Sequence, residues 1–464
     1  MKCTVWIAIA GSFAAKVALA QVGAPCRVAG IDQQVRCATV EVPENRANPG
    51  RTIRLRVVIL PSRSAARALR PALFYLVGGP GLAASTLADL VASSHSTTRD
   101  THDIVLVDQR GTGGSNALDC DLYGDVQKYL GDQFVRDAVR ECAERLASRG
   151  EFREYTTENA AEDLEAVRER IGVDRIDIDA SAYGTRVALA YMRRYPDHVR
   201  SVVLQGVIGE NISLTVTAAR DAQRALDRVF ADCAADPFCR TSFPAPQREL
   251  SALLSRLDHV PSSLRVQQPR STDSITVMLS RGVFADRLRL MLYSTRLSRR
   301  IPMLVHRAHQ GDWTPFVTLA YEISRVVFDQ LDVGAHLSAA CPDRLSEEVE
   351  ARGTFLGDYR RGMYRDACSV WPHSAASSSR APIRTAAPVL LVTGALDPVT
   401  PPQFAEAVAR EVPNATVMIV PGMAHAGTER CVEEVVASFV VRGTMQGVDS
   451  SCISGLKAPP FVTW

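Results

Sequence analysis

Three glycine-flanked stretches and two single side chains in this 464-residue sequence have the types and order that acyl transfer requires. Leu76-Val77-Gly78-Gly79-Pro80-Gly81 follows a continuous apolar run, where a glycine turn can present backbone N–H groups to an oxyanion. Asp108-Gln109-Arg110-Gly111-Thr112-Gly113-Gly114-Ser115 follows the next such run. Asp179-Ala180-Ser181-Ala182-Tyr183-Gly184-Thr185 lies where a strand gives way to a helix, the place of a nucleophile elbow. Asp397 stands just past a later apolar run and before Pro401-Pro402, and His425 lies in a small-residue loop after the run that follows. Elbow, acid, histidine is an order in which a nucleophile–His–acid triad occurs along a chain. Taken singly, a glycine after a strand is usually a turn, an Asp before a helix is often a cap, and a His is often a satisfied surface group. Their order and spacing make the case together.

The elbow lacks its nucleophile. A G-x-S-x-G pattern aligned on Tyr183-Gly184 puts Ala180 first and Ala182 where the serine belongs. Three explanations stay open at this level: a Ser→Ala replacement in an otherwise active hydrolase, a natural non-catalytic binding protein, or Ser181 as a displaced nucleophile. The last meets a geometric objection, because a sharp turn aims only one side chain at the histidine.

These residues need a framework that the apolar patterning supplies. Ala38–Val42 and Ile53–Leu60 alternate like strands, while Ala72–Val77 and Asp103–Val107 read as buried strands of a mostly parallel sheet. Helical spacing over Asn159–Ile171, the strand Arg175–Asp179, a helix from Tyr183 to about Tyr195 and the strand Ser201–Leu204 continue an α/β alternation. From about Asn211 to Thr385 the alternation stops and the sequence reads as helical. It resumes with strands Pro388–Thr393 and Ala415–Val420 and helices Pro402–Glu411 and Glu429–Val441. The expected organisation is a signal segment at 1–20, a core in two parts at 21–210 and 386–464, and a helical cap at 211–385.

Composition is that of a globular enzyme: 46% hydrophobic, 22% charged, with 53 basic against 51 acidic residues. A net charge of +2 gives no electrostatic case for nucleic acid or an anionic membrane, and collagen-like, disordered and multi-spanning classes are excluded. Lys2, an apolar run to Ala15 and Ala18-Leu19-Ala20 before Gln21 form a targeting signal, so a periplasmic or secreted protein is expected. Of 11 cysteines, Cys3 leaves with the signal. The other ten fall into sequence-local couples: Cys26 and Cys37, Cys120 and Cys142, Cys233 and Cys239, Cys341 and Cys368, Cys431 and Cys452. Five disulfides are expected, although spacing alone does not fix their connectivity. No ligand cluster, P-loop or dinucleotide fingerprint implies a metal or organic cofactor.

The same stretches resemble the prolyl iminopeptidase / tripeptidyl aminopeptidase family of α/β-hydrolase serine peptidases, in its larger secreted bacterial form. The match runs from about Cys37 to the C-terminus, apart from the loosely matched insertion. It rests on Gly78-Gly79-Pro80-Gly81 (with Val77 where the family often has His), the DQRG-x-G-x-S block at Asp108–Ser115, and Tyr183-Gly184-Thr185-Arg186 through Tyr195-Pro196. Val199–Leu204, Gly394–Pro401 and Gly422–Gly427 also fit. The resemblance implies an α/β-hydrolase fold, a mostly parallel doubly wound sheet with a large helical cap. It implies position 182 as nucleophile, His425 as base then acid, Asp397 as its orienting carboxylate, and the N–H groups of Gly79 and Tyr183 as the oxyanion hole. In the family, acidic cap residues hold the substrate's free α-amino group; Asp343 sits where relatives often carry one.

The expected partner is a small-molecule or short-peptide substrate, with release of amino acids or short peptides from a peptide N-terminus as the leading activity. An esterase or amidase for a small molecule on the same scaffold is the alternative, and a binding protein without catalysis the third. Carboxylates in the cap pocket favour the peptidase; an apolar cap pocket favours the esterase.

Overall fold

The computed structural model describes residues 23–63, 72–259, 262–268, 270–342, 351–375, 381–427 and 429–463. The signal segment at 1–20 and Asp343 lie outside the described residues. Eleven strands are formed among the described residues: β1 Ala24–Cys26, β2 Val35–Pro43, β3 Thr52–Leu60, β4 Leu73–Leu76, β5 Ile104–Val107, β6 Ile176–Ser181, β7 Val199–Gln205, β8 Ser262–Gln267, β9 Ser274–Leu279, β10 Val389–Gly394 and β11 Ala415–Val420. Nine make one sheet in the order β1-β2-β3-β5-β4-β6-β7-β10-β11. From β5 to β11 every neighbour is parallel, whereas β1, β2, β3 and β5 pair antiparallel.

β5 and β10 are nearly continuous apolar runs because both of their faces are covered. Every residue of β5 (IVLV) and of β10 (VLLVTG) is buried. The helix Thr157–Ile171 begins where Thr156 accepts a hydrogen bond from the Asn159 N–H at 3.2 Å and ends at Gly172, whose φ of 72° suits glycine. It packs against the helix Tyr183–Arg194, and the Tyr191 hydroxyl donates to Glu165 Oε2 at 2.8 Å. Together these helices bring Leu164, Val167, Val187 and Tyr191 into one core with β4, β6 and β7.

Between β7 and β10 the chain leaves the sheet and builds two further hydrophobic clusters from helices that include Leu214–Ala235, Pro246–His259, Arg281–Met291, Thr314–Phe328, Val333–Ala340 and Tyr359–Cys368. The wholly helical expectation for this region fails at β8 and β9, an antiparallel hairpin. Its strands alternate Leu264 and Val266 against Ile275, Val277 and Leu279, a period of two that long helical neighbours obscure; Val266, Val277 and Leu279 enter the cap core.

All five cysteine couples form disulfides. Two of them tie elements near the site: Cys341–Cys368 joins the cap helices Val333–Ala340 and Tyr359–Cys368, and Cys431–Cys452 anchors the helix after the His425 loop. No helix of the described residues is long and apolar enough to cross a membrane.

Candidate active site

β6 ends at Ser181, and the chain turns abruptly into the helix Tyr183–Arg194 through Ala182, which sits at φ 48° and ψ −119°. A non-glycine residue held there costs about 1–3 kcal/mol, so the surrounding structure must impose it. The close approaches explain how. A Cβ on Gly184 would lie 2.3 Å from the Leu76 carbonyl oxygen, and one on Gly78 would lie 2.9 Å from the Ala182 Cβ. The glycines let β4, the elbow and the helix meet at distances that no side chain permits. Behind the turn, the Ala182 N–H donates to the Gln205 carbonyl at 2.9 Å, and the Thr185 N–H and hydroxyl donate to the Ala182 carbonyl at 2.9 and 2.6 Å.

The acid and the histidine follow the last two parallel strands, β10 and β11. Asp397, in the turn after β10, is buried; its Oδ1 accepts from the N–H groups of Val399 (2.7 Å) and Thr400 (2.8 Å). Its Oδ2 accepts from the Thr400 hydroxyl at 2.7 Å and meets His425 Nδ1 at 2.8 Å. Burial alone would raise this carboxyl. The facing His425 and the Thr400 donors outweigh it and hold Asp397 below the ordinary carboxylate range. Nδ1 of His425 is thereby fixed as the nitrogen facing the acid, which leaves Nε2 for a substrate or nucleophile. The cap completes the pin: the Tyr293 ring lies edge-on to the His425 ring with centroids 5.1 Å apart, and the Tyr293 carbonyl accepts from the Ala426 N–H at 2.7 Å.

Gly79, Ala182, Tyr183, Asp397 and His425 line one cavity of about 530 Å³. The Asp108–Ser115 block, grouped by sequence with the reacting residues, does not line it. Asp108 instead accepts from the Ser85 N–H (2.7 Å), the Ser85 hydroxyl (2.9 Å) and the Gly114 N–H (3.0 Å). Arg110 makes a two-pronged pair with Asp163, 2.7 Å on each arm. The block braces the loop that carries Gly79. From the cap side, Asp332 takes the Gly113 N–H at 2.9 Å and gives its own N–H to the Gly81 carbonyl at 2.9 Å. Burial, with Asp119 and Asp108 nearby adding to it, pushes the Asp332 carboxyl up to about 6 against the opposing Gly113 hydrogen bond.

Several groups at the site escaped the sequence reading. Thr400 was legible as part of the Gly394–Pro401 match, but Tyr293, Arg289, Arg360 and Arg224 carry no local signal. Arg224 donates to the Asp397 carbonyl from the first cap helix. A second serine–histidine–aspartate chain also touches the cavity: Ser94 Oγ lies 2.9 Å from His95 Nδ1, and His95 Nε2 lies 2.9 Å from Asp179 Oδ2. Asp179 Oδ1 also takes the Gln205 amide at 2.8 Å, so this chain clamps the strand beneath the elbow. Ser181 lines the cavity but makes no hydrogen bond to His425. Among the described residues no group of three or more His, Cys, Asp or Glu could hold a metal ion.

Comparison with known proteins places the chain in a family. The chain is 26% identical to carboxylesterase B of Mycobacterium tuberculosis, over 90% of this chain and 86% of that protein. It is 23% identical to the serine protease Hip1 of the same organism, over 81% of this chain and 79% of that protein. Among solved structures, a proline iminopeptidase from Mycobacterium smegmatis covers 88% of this chain and 98% of its own, at 16% identity and a TM-score of 0.42. A family profile described as the alpha/beta hydrolase fold matches residues 71–428, from the strand before Gly79 to just past His425. The chain belongs to the α/β-hydrolase family.

Proposed function

We propose that this chain is an exported acyl hydrolase scaffold for small esters or amides whose nucleophile position holds Ala182, so that it binds substrate but does not turn it over through the elbow. The observation that carries this is a complete Asp397–His425 pair and a strained elbow on the same cavity, with only the hydroxyl missing. With a serine at 182, the hydroxyl oxygen would attack the carbonyl carbon while His425 Nε2 takes its proton. Asp397 would stabilise the imidazolium, and the N–H groups of Gly79 and Tyr183 would receive the oxyanion. Collapse would expel the alcohol or amine with the proton from His425, and a water would repeat the cycle on the acyl-enzyme.

The cap lining bears on the substrate class. Its described contribution to the cavity is mostly apolar, including Leu214, Leu290, Val327, Phe328 and Leu331, and its charged groups are Arg289 and Arg360. Every carboxylate among the described lining residues, namely Asp179, Asp397 and Glu433, comes from the core. A cap that grips a free α-amino group needs an acid there, so the lining favours the ester or small-amide substrate. Aminopeptidase activity keeps support from the motif resemblance and from the similarity to a protein named serine protease. Five disulfides support export.

The test is Ala182→Ser assayed on aryl esters and on aminoacyl anilides. Hydrolysis should rise by at least ~10³-fold, because the change returns the one missing member of the triad. A revertant as slow as its parent on both panels would overturn the proposal.

A further inference from the structure

One carboxylate in the cap faces three guanidinium groups. Asp286, only 1% exposed, accepts on Oδ1 from Arg289 Nε and Arg360 Nη1, each at 3.0 Å, and on Oδ2 from Arg287 Nη1 at 3.0 Å. Burial would raise this carboxyl, but Arg289, Arg360 and Arg287 together drive it far below the carboxylate range, so it counts as a full negative charge. Two positive charges remain unbalanced in the cluster. Arg287 is spent on structure: it donates to the carbonyls of Tyr129 and Gly131 and lies over the Phe328 ring. Arg289 and Arg360 line the cavity.

Both retain unused donors. Arg289 gives Nε to Asp286 and Nη1 to the Tyr293 hydroxyl at 2.8 Å; its Nη2 has no hydrogen-bond partner among the described residues. Arg360 gives Nη1 to Asp286 and Nη2 to the Tyr364 hydroxyl at 3.3 Å; its Nε has none among the described residues. Their side chains are only 5% and 14% exposed and open onto the cavity, so an anion bound there would meet them largely shielded from bulk water. The pair is also close to the chemistry. The Arg289 guanidinium lies 5.2 Å from the Tyr293 ring, and that ring lies 5.1 Å from His425. The guanidinium is thus within two ring-to-ring steps of the imidazole.

We infer that Arg289 and Arg360 form an anion subsite that takes a carboxylate of the substrate, so that the cavity selects short esters or amides bearing a free carboxylate a few bonds from the scissile carbonyl. This rests on the acyl-hydrolase function proposed above. The carboxylate could be the C-terminus of a short peptide or the free end of a dicarboxylic monoester; both present the same oxygens to a planar guanidinium.

Two experiments separate this subsite from the function it serves. Calorimetry on the unaltered Ala182 chain compares methyl hydrogen glutarate with dimethyl glutarate, and alanyl-alanine with its C-terminal amide. The charged member of at least one pair should bind roughly 10–100-fold tighter, the size expected for charge-assisted hydrogen bonds in a shielded site. Which pair responds identifies the source of the carboxylate. Arg289→Gln should erase the preference and Arg289→Lys should restore part of it, with affinity for the neutral member unchanged. Equal binding within both pairs overturns the subsite, whether or not an arginine variant folds. In the Ala182→Ser protein, the mono-4-nitrophenyl ester of glutarate should show a lower KM than its methyl diester at similar kcat. Turnover without that difference overturns the subsite alone. No turnover at all overturns the hydrolase function and leaves the binding comparison to decide the subsite.

Discussion

The core wall of the cavity and its cap wall hold their polar groups by different means. On the core wall, Asp397 is gripped by the N–H groups of residues two and three positions along, and the elbow at Ala182 is closed by Thr185 three positions along. On the cap wall, local pairs such as Asp286 with Arg289 are tied together by side chains over long stretches of chain: Asp286 to Arg360 across 74 residues, and His336 Nδ1 to the Pro80 carbonyl across 256. Geometry fixed by neighbouring backbone tolerates replacement of a reacting side chain, and the elbow keeps its strained turn around a methyl group. Geometry fixed by mutual charge pairing is specific to its occupants.

The largest effect should come from the core wall. In the Ala182→Ser background, Asp397→Asn should cost about 10³–10⁴-fold in kcat, because the amide no longer holds Nδ1 as the donor nitrogen. Binding of the same substrate should barely move. Steady-state kinetics beside calorimetry check this split, and a loss confined to KM would contradict it.

A pair of disulfides sharpens the contrast next. Cys341–Cys368 spans 27 residues in the cap and Cys431–Cys452 spans 21 in the core, so loop closure predicts a similar loss of about 3–4 kcal/mol when either is replaced by alanines. Only the cap replacement should also weaken ligand binding, because it frees the two helices that carry His336, Arg360 and Tyr364. Denaturant titration and ligand titration of both variants give the comparison. Equal effects on binding would show that the cap wall is no more dependent on its ties than the core wall.

The smallest effect lies at the seam between the walls and depends on pH. Asp332 titrates at about 6 in the fold against about 4 unfolded, so the fold favours its protonated form. Its contribution therefore turns unfavourable as pH rises from 4 through 6. Asp332→Asn removes that penalty and should gain about 1–2 kcal/mol on its parent between pH 4 and 7, after allowance for partial exposure. His336, pushed down to about 4 by burial, works the other way: its stabilising effect is present above about 6.5 and lost as pH falls toward 4. Thermal melts of Asp332→Asn and His336→Gln across that range should therefore diverge from the parent in opposite directions.

The same contrast explains what could be read from sequence. β4, β5 and β10 announce themselves as apolar runs because both faces are buried, β6, β7 and β11 are marked by the alternation with helices around them, and Ala182, Asp397 and His425 follow strand ends in motifs a few residues long. The β8–β9 hairpin was missed because its period-two alternation lies between long helices. Arg360 was missed because it meets Asp286 only once a helix 74 residues away packs beside it, and Arg289, three residues from Asp286, because a lone cation on a helix carries no signal. The Asp108–Ser115 block reads alongside the reacting residues because a motif names positions without saying whether a side chain reacts or braces.

Treatment with a fluorophosphonate followed by intact and peptide-level mass spectrometry tests the central claim most directly. The unaltered chain should take up no reagent, and Ala182→Ser should acquire one adduct per chain at position 182. A stoichiometric adduct on Ser181 or Ser94 of the unaltered chain, or none on Ala182→Ser, would show that the vacant elbow is not where this scaffold's nucleophile belongs.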